Sequence, residues 1–530
     1  MQGKILLSRA GRNFTAFLQV PYGQAERFST PTIAPKWEGT LQATEYSHEC
    51  AQMMWVTYEL LGKEDCLSLH VFTPNIKGNF PTIVYFHAGG FSLGTANTFG
   101  AEYFMDEDVV VVMVNYRLGP FGFLSTLDEV LPGNYGLKDQ QLSLRWVQEN
   151  VRRFGGDPTS VTIMGNSAGG ASVNYQMMSP LSKDLFHGAI AQSGSSLNPW
   201  ARSTNPREMS KRFGKILNCP FENSQIYRDC LMQKSTKDIL SAIKHLEQWS
   251  YDPFTPFGPV VEPDLPGAFL TEEPAVLMET GRFNQVPLIA GVDEDEGILM
   301  HASFIFSKPE LLDEFNRDWK RVYPITLMLD EVYTNFDAET QIELSEKIRQ
   351  YYFNNTDVTE DDSEIKQKFI NVFSDRFFFH GIRKAAILMG KHVPVYLYMF
   401  AHNRGDYSVT KFFGIDENYG VSHGDEVSFQ FANSFNLAPE FVRGSVAEQV
   451  SKNFVKLWTS FAREKFPAAL WGSDQGWMAL TKPEIEGKQP IRYYRIDADT
   501  SLVEESFTKR MEFWEELLKE EHVQRINDEL

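Results

Sequence analysis

The run Met164-Gly165-Asn166-Ser167-Ala168-Gly169-Gly170 sets a serine between two close glycines. A serine hydroxyl attacks a carbonyl carbon only when it is activated. It needs a base to take its proton, an acid to orient that base, and N–H donors for the oxyanion that forms. A G-x-S-x-G pattern also arises by chance, so the partners decide the reading. His87-Ala88-Gly89-Gly90-Phe91 offers a donor loop, because glycine lets backbone N–H groups approach a ligand closely. A plain β-turn is the competing reading of those glycines. The base must come from eleven histidines. His423 lies in the glycine-rich stretch "YGVSHGDE". His87 and His187 are nearer the motifs in sequence, which is not nearness in space, and His87 is expected to buttress the donor loop. Acid candidates crowd "VDEDEGILM", where Asp293, Glu294, Asp295 and Glu296 also read as a solvated acidic loop.

These residues need a scaffold that turns sharply after strands. The runs "PTIVYF" (81–86), "VVVVMVN" (109–115), "SVTIM" (160–164), "GAIAQS" (188–193), "VPLIAG" (286–291) and "PVYLYMF" (394–400) are nearly continuous and apolar. Such runs suit strands buried on both faces of a parallel sheet. Between them, residues 136–156 carry Leu142, Trp146, Val147 and Val151 near a 3.6 period, ending at Gly155, and read as a helix. The alternation predicts an α/β fold with a large, mostly parallel central sheet. Residues 205–285 and 300–385 are expected to be helical and loop insertions on one side of it. No domain boundary is visible, so 1–530 is taken as one domain. Ser167 then sits at a strand–tight turn–helix junction, with Ala168 opening the helix and supplying one oxyanion N–H.

Composition narrows the function classes. The chain has 530 residues, 42% hydrophobic and 13% aromatic, enough for a sizeable core. Its formal charge of −20 opposes binding to nucleic acid or an anionic membrane. No apolar run is long enough for a membrane span. The four cysteines form no metal-binding spacing. Cys50 lies near Cys66 and Cys219 near Cys230, which leaves open four buried thiols or two local disulfides of about 3 kcal/mol each. Sequons at Asn13 and Asn354 are compatible with glycosylation. The N-terminus carries no signal-peptide pattern, as expected of a mature or a cytosolic chain. The terminal Asn527-Asp528-Glu529-Leu530 is one residue from an endoplasmic-reticulum retrieval signal.

The runs "EDCLSLHVFTP", "NYRLGPFGFLS", "GNYGLKDQQLSLRWVQENVRRFGGDPTSVTIMGNSAGG", "AQSGS", "DEDEG" and "HGDE" cover much of the chain. Across them it resembles the carboxylesterase type B (cholinesterase-like) family of α/β-hydrolases. The resemblance implies a serine carboxylic-ester hydrolase with no metal or other cofactor. Its catalytic residues would be Ser167, Glu296 and His423, with Asp295 a distant second for the acid. Its oxyanion hole would be Gly89, Gly90 and Ala168. It implies disulfides Cys50–Cys66 and Cys219–Cys230, and so a secreted or lumenal glycoprotein. Trp200, Phe254 and Phe257 match positions that line the acyl side in relatives, and Phe91 is expected to join them. Ser193 is expected to support His423 or simply to pack. An aromatic, apolar pocket would select small-molecule esters that are uncharged and carry hydrophobic acyl groups. Trp55 does not clearly match the family's choline-binding tryptophan. The alternatives are a dedicated lipid-hormone or pheromone ester hydrolase and, more distantly, a non-catalytic adhesion protein. Two departures stand out: Ala88 replaces a usual glycine, and Asn166 replaces a commoner glutamate.

Overall fold

The computed structural model describes residues 1–46, 48–432, 438–467 and 476–519. An eleven-stranded sheet organises the chain. Its strands are β1 (Lys4–Leu7), β2 (Asn13–Pro21), β3 (Ser68–Thr73), β4 (Phe80–Phe86), β5 (Val110–Val114), β6 (Gly156–Asn166), β7 (Gly188–Gln192), β8 (Leu288–Asp293), β9 (Val395–Phe400), β10 (Arg492–Ile496) and β11 (Thr500–Glu504). The spatial order is β1-β2-β3-β5-β4-β6-β7-β8-β9-β10-β11. From β5 across to β10 neighbouring strands run parallel. The remaining pairs, β1–β2, β2–β3, β3–β5 and β10–β11, are antiparallel.

Each expected strand is present within two residues of its expected end, apart from β6, which begins four residues early. The cause of the continuous apolar runs is visible in β4. Ile83 and Tyr85 enter the core on one face, while Val84 and Phe86 enter the core on the other. Both faces are covered, which favours apolar side chains along the strand, with Thr82 the buried polar exception. The expected helix runs Tyr135–Asn150, tightens into a 3-10 turn, and stops at Gly155 with φ 81°. That left-handed residue ends the helix and lets β6 start at once.

This helix buries charge as well as apolar surface. Arg117 makes a two-pronged pair with Asp139, at 2.8 and 2.7 Å. Lys138 reaches Glu262 at 2.6 Å. All four side chains are buried. The pairs explain why the polar letters of "NYRLG" and "GLKDQ" belong to the fold. Removing one partner would leave a buried, uncompensated charge, a loss of roughly 3–5 kcal/mol. The two insertion regions are helical, as expected. Cys50–Cys66 and Cys219–Cys230 are disulfide-bonded. Among the described residues no helix is long and apolar enough to cross a membrane. The tetrapeptide Asn527–Leu530 lies outside the described residues.

Candidate active site

Ser167 sits between the end of β6 and the helix Ala168–Met178, with φ 57° and ψ −121°. This backbone region costs a non-glycine residue on the order of 1–3 kcal/mol. The surroundings hold it there. Its N–H donates to the Gln192 carbonyl at 2.8 Å, and its own carbonyl accepts from Ala171 at 2.9 Å. The flanking glycines are steric necessities. A Cβ on Gly169 would fall 2.0 Å from the Phe86 carbonyl oxygen, and one on Gly165 would fall 2.4 Å from the Gly169 carbonyl carbon. The turn therefore packs directly on β4, and only glycine fits.

The donor loop follows β4. Gly89 and Gly90 have φ 120° and 56°. The Gly89 carbonyl accepts from Ser92 and Leu93 at 3.0 Å, and the Gly90 carbonyl accepts from Ser92 Oγ at 3.1 Å. With both carbonyls engaged, the peptide orientations are set. His87 buttresses this loop, as expected. It stacks on Tyr116 at 4.3 Å, and its Nδ1 donates to the Ala88 carbonyl at 2.8 Å. Burial pushes its pKa down to about 4, so the ring is a neutral prop. Ala168 opens the helix, whose first N–H groups have no partner within the helix and favour negative charge.

His423 comes from the long loop after β9, and Glu296 from the turn after β8. His423 Nδ1 donates to Glu296 Oε2 at 2.5 Å, and both side chains are buried. Glu296 Oε1 accepts the Asp293 N–H at 2.9 Å, so each carboxylate oxygen has its own donor. Phe378 stacks on the imidazole at 4.3 Å. Asp295 is committed elsewhere, accepting from Gln367 at 2.9 Å and from the Val421 N–H at 3.3 Å. His187 precedes β7 and lies at the opposite, amino end of the sheet. Among the described residues Ser193 Oγ has no hydrogen-bond partner. Its neighbour Gly194 packs on the Ser167 backbone, so this loop props the serine turn rather than the imidazole.

Ser167, His423, Ala88, Gly89 and Gly90 line one cavity of about 410 Å³. They arrive from the carboxyl ends of β4, β6 and β9, where ligand sites in parallel sheets collect. Trp200 and Phe254 line it as expected. Phe91 and Phe257 do not, which corrects the expectation for both. Phe91 is fully buried against Phe123 at 5.1 Å, and Phe257 packs on Phe213 at 5.0 Å. Both therefore serve the core behind the wall. The sequence reading missed Trp55, Met300, Phe378 and Phe413 as lining residues. Trp55 stacks over Phe413 and meets Phe254 edge-on. The Cys50–Cys66 loop that carries it was the available signal.

A buried acidic cluster behind His423 was also missed. Gly424 donates to Asp293 Oδ2 at 2.8 Å. Asp425 accepts from the N–H groups of Val409 and Ser422 at 2.6 and 2.8 Å. Glu426 accepts from Tyr398 at 2.8 Å and from Asn166 Nδ2 at 3.3 Å. Burial, reinforced by mutual repulsion, pushes Asp293 well above the carboxylate range. Burial likewise moves Asp425 up to about 7 and Glu426 up to about 8. Asn166 now has a physical reason. An amide at this position meets Glu426 with an N–H, where a carboxylate would add to the crowding of like charge.

The family model described as "Carboxylesterase family" matches residues 1–514. Venom carboxylesterase-6 of Apis mellifera is 34% identical, over 98% of this chain and 94% of its own. Juvenile hormone esterase of Tribolium castaneum is 34% identical, over 87% of this chain and 81% of its own. The crystal structure of juvenile hormone esterase from Manduca sexta, with OTFP covalently attached, superposes with a TM-score of 0.81 at 24% identity, over 97% of this chain and 99% of that one. The fold is that of an α/β-hydrolase, and the chain belongs to the carboxylesterase family of carboxylic-ester hydrolases.

Proposed function

We propose that this carboxylic-ester hydrolase works through Ser167, His423 and Glu296 and cleaves uncharged, hydrophobic esters. One observation carries the reading: the 2.5 Å bond from His423 Nδ1 to Glu296, with His423 opening onto the same cavity as Ser167. Glu296 holds the proton of the neutral imidazole on Nδ1, which leaves Nε2 as the base. Ser167 Oγ attacks the ester carbonyl as its proton passes to His423 Nε2. The N–H groups of Gly89, Gly90 and Ala168 take the oxyanion, and each such donor is worth roughly 3 kcal/mol. The imidazolium then protonates the leaving alcohol. Water repeats the sequence on the acyl-enzyme and releases the acid.

The substrate class follows from the wall. Trp55, Trp200, Phe254, Phe378 and Phe413 line the cavity, and among the described residues its lining includes no lysine or arginine. Glu49 and Glu59 lie on the wall, and burial and mutual repulsion raise the Glu49 carboxyl. Anionic esters are disfavoured on both counts. A lipid-hormone ester is the second reading, favoured by the similarity to juvenile hormone esterases. The two disulfides and the exposed sequon residues Asn13 and Asn354 support a glycosylated protein of the secretory pathway. Stoichiometric phosphorylation of Ser167 by an organophosphate, with loss of p-nitrophenyl ester turnover, tests the mechanism. A non-catalytic adhesion protein would give neither.

A further inference from the structure

Behind the cavity wall lies a second histidine–carboxylate pair that the ester chemistry does not use. His301 Nε2 donates to Asp252 Oδ2 at 3.1 Å, and the two side chains are 1% and 3% exposed. Neither touches the cavity, but each is one or two residues from residues that line it: Phe254 beside Asp252, and Leu299 and Met300 beside His301. The pair therefore ties two wall segments that are 49 residues apart in sequence. Among the described residues His301 Nδ1 is buried without a partner, so the Asp252 bond is the hydrogen bond that orients the ring.

The ring is also a packing hub. It stacks on Phe373 at 4.6 Å and meets Phe377 at 4.9 Å and Phe254 at 6.2 Å. The Phe377 carbonyl accepts the Trp200 indole N–H at 2.8 Å, which joins the hub to the other expected acyl-side aromatic. Met300 is held at φ 69°, a backbone region that side chains disfavour. Contacts, rather than local preference, must keep that segment in place.

We propose that the His301–Asp252 pair sets the width of the acyl-side wall, and thereby the acyl length the enzyme prefers. Both are positioning residues. The proposal rests on the ester-hydrolase reading of the cavity. The full chain and its His301→Leu, His301→Gln and Asp252→Asn variants are to be assayed on p-nitrophenyl esters from acetate to decanoate, with melting temperatures alongside. Asp252→Asn keeps an acceptor for Nε2 and is the milder variant. Loss of the ring contact frees Phe254, so the decanoate-to-acetate ratio of kcat/KM is expected to rise about tenfold or more in His301→Leu, the scale of one or two methylenes. A smaller shift in the same direction is expected for the other two. A parallel fall for all esters at an unchanged ratio overturns the proposal. If the unaltered chain turns over no ester, the ester-hydrolase reading fails instead. Calorimetric binding of fatty acids of graded length then takes over the test: a profile shared by the unaltered chain and His301→Gln overturns the proposal, and a profile shifted to longer chains supports it.

Discussion

Glu296→Gln removes one charge while filling the same volume. In the structure both carboxylate oxygens accept: Oε2 from His423 Nδ1 at 2.5 Å and Oε1 from the Asp293 N–H at 2.9 Å. An amide has only one accepting atom. If its oxygen stays with Asp293, its NH2 faces His423, which must then accept at Nδ1 and carry its proton on Nε2. That tautomer cannot take the proton of Ser167. If the amide flips, two donors oppose each other at Asp293, at a cost of about 1–3 kcal/mol in stability. Either way the imidazolium loses its counter-charge. We expect kcat to fall about 10⁴-fold, equivalent to about 5 kcal/mol of transition-state stabilisation. The assay is the steady-state kcat on p-nitrophenyl butyrate, corrected for active sites by titration, with melting to show that the variant is folded. Asp295→Asn is the control, because the Asp295 carboxylate accepts from Gln367 and Val421 and not from His423. A kcat for Glu296→Gln within about tenfold of the unaltered enzyme, or an equal loss in Asp295→Asn, would refute the reasoning.

The acidic cluster makes a prediction about stability. Asp425 and Glu426 titrate at about 7 and about 8 in the folded chain, raised chiefly by burial. A carboxylic acid with a raised folded pKa binds its proton more tightly when folded, so stability must fall as pH rises from the unfolded value near 4 toward 7 or 8. Each group contributes about −1.4 kcal/mol per pH unit in that window. Urea denaturation of Glu426→Gln at pH 5, 6 and 7 is expected to show a slope shallower by about that amount; an unchanged slope would remove Glu426 from the cluster's energetics. Gly169→Ala puts a Cβ 2.0 Å from the Phe86 carbonyl oxygen and must displace the serine turn. A displacement of about 1 Å costs about 10²-fold in kcat/KM, which ester kinetics on the folded variant would measure.

The parts of the molecule that were legible share one physical property. Strands buried on both faces favour apolar residues, so much of β4 to β9 appears as apolar runs. The outer strands β1 to β3, β10 and β11, of which only β1 and β11 are edges, escaped notice because they are short, alternate, or carry polar letters, as in "RYYRI" and "TSLVE". Ser167 and its glycines were legible because a strained turn packed on a strand admits almost no other residues. Glu296 was not distinguishable from Asp295 by type; the family motif chose it, and the fold gives the two carboxylates different partners. The acidic cluster was hidden because "DEDEG" and "HGDE" look like solvated loops. Only the fold brings Asp293, Asp425 and Glu426 together and away from water. The pocket was half legible. Trp200 and Phe254 reach the cavity, while Phe91 and Phe257 turn into the core, since an aromatic letter does not say which side of a wall it faces.

The central claim is that Ser167 is the nucleophile that His423 and Glu296 activate. Diethyl p-nitrophenyl phosphate, followed by peptide mass spectrometry, tests it most directly. The account predicts one diethylphosphoryl group per chain, located on Ser167, with one equivalent of p-nitrophenol released and all ester turnover lost. The adduct should be absent from Ser167→Ala and form far more slowly in Glu296→Gln. Phosphorylation at another residue, or ester turnover that persists after Ser167 is fully labelled, would contradict it.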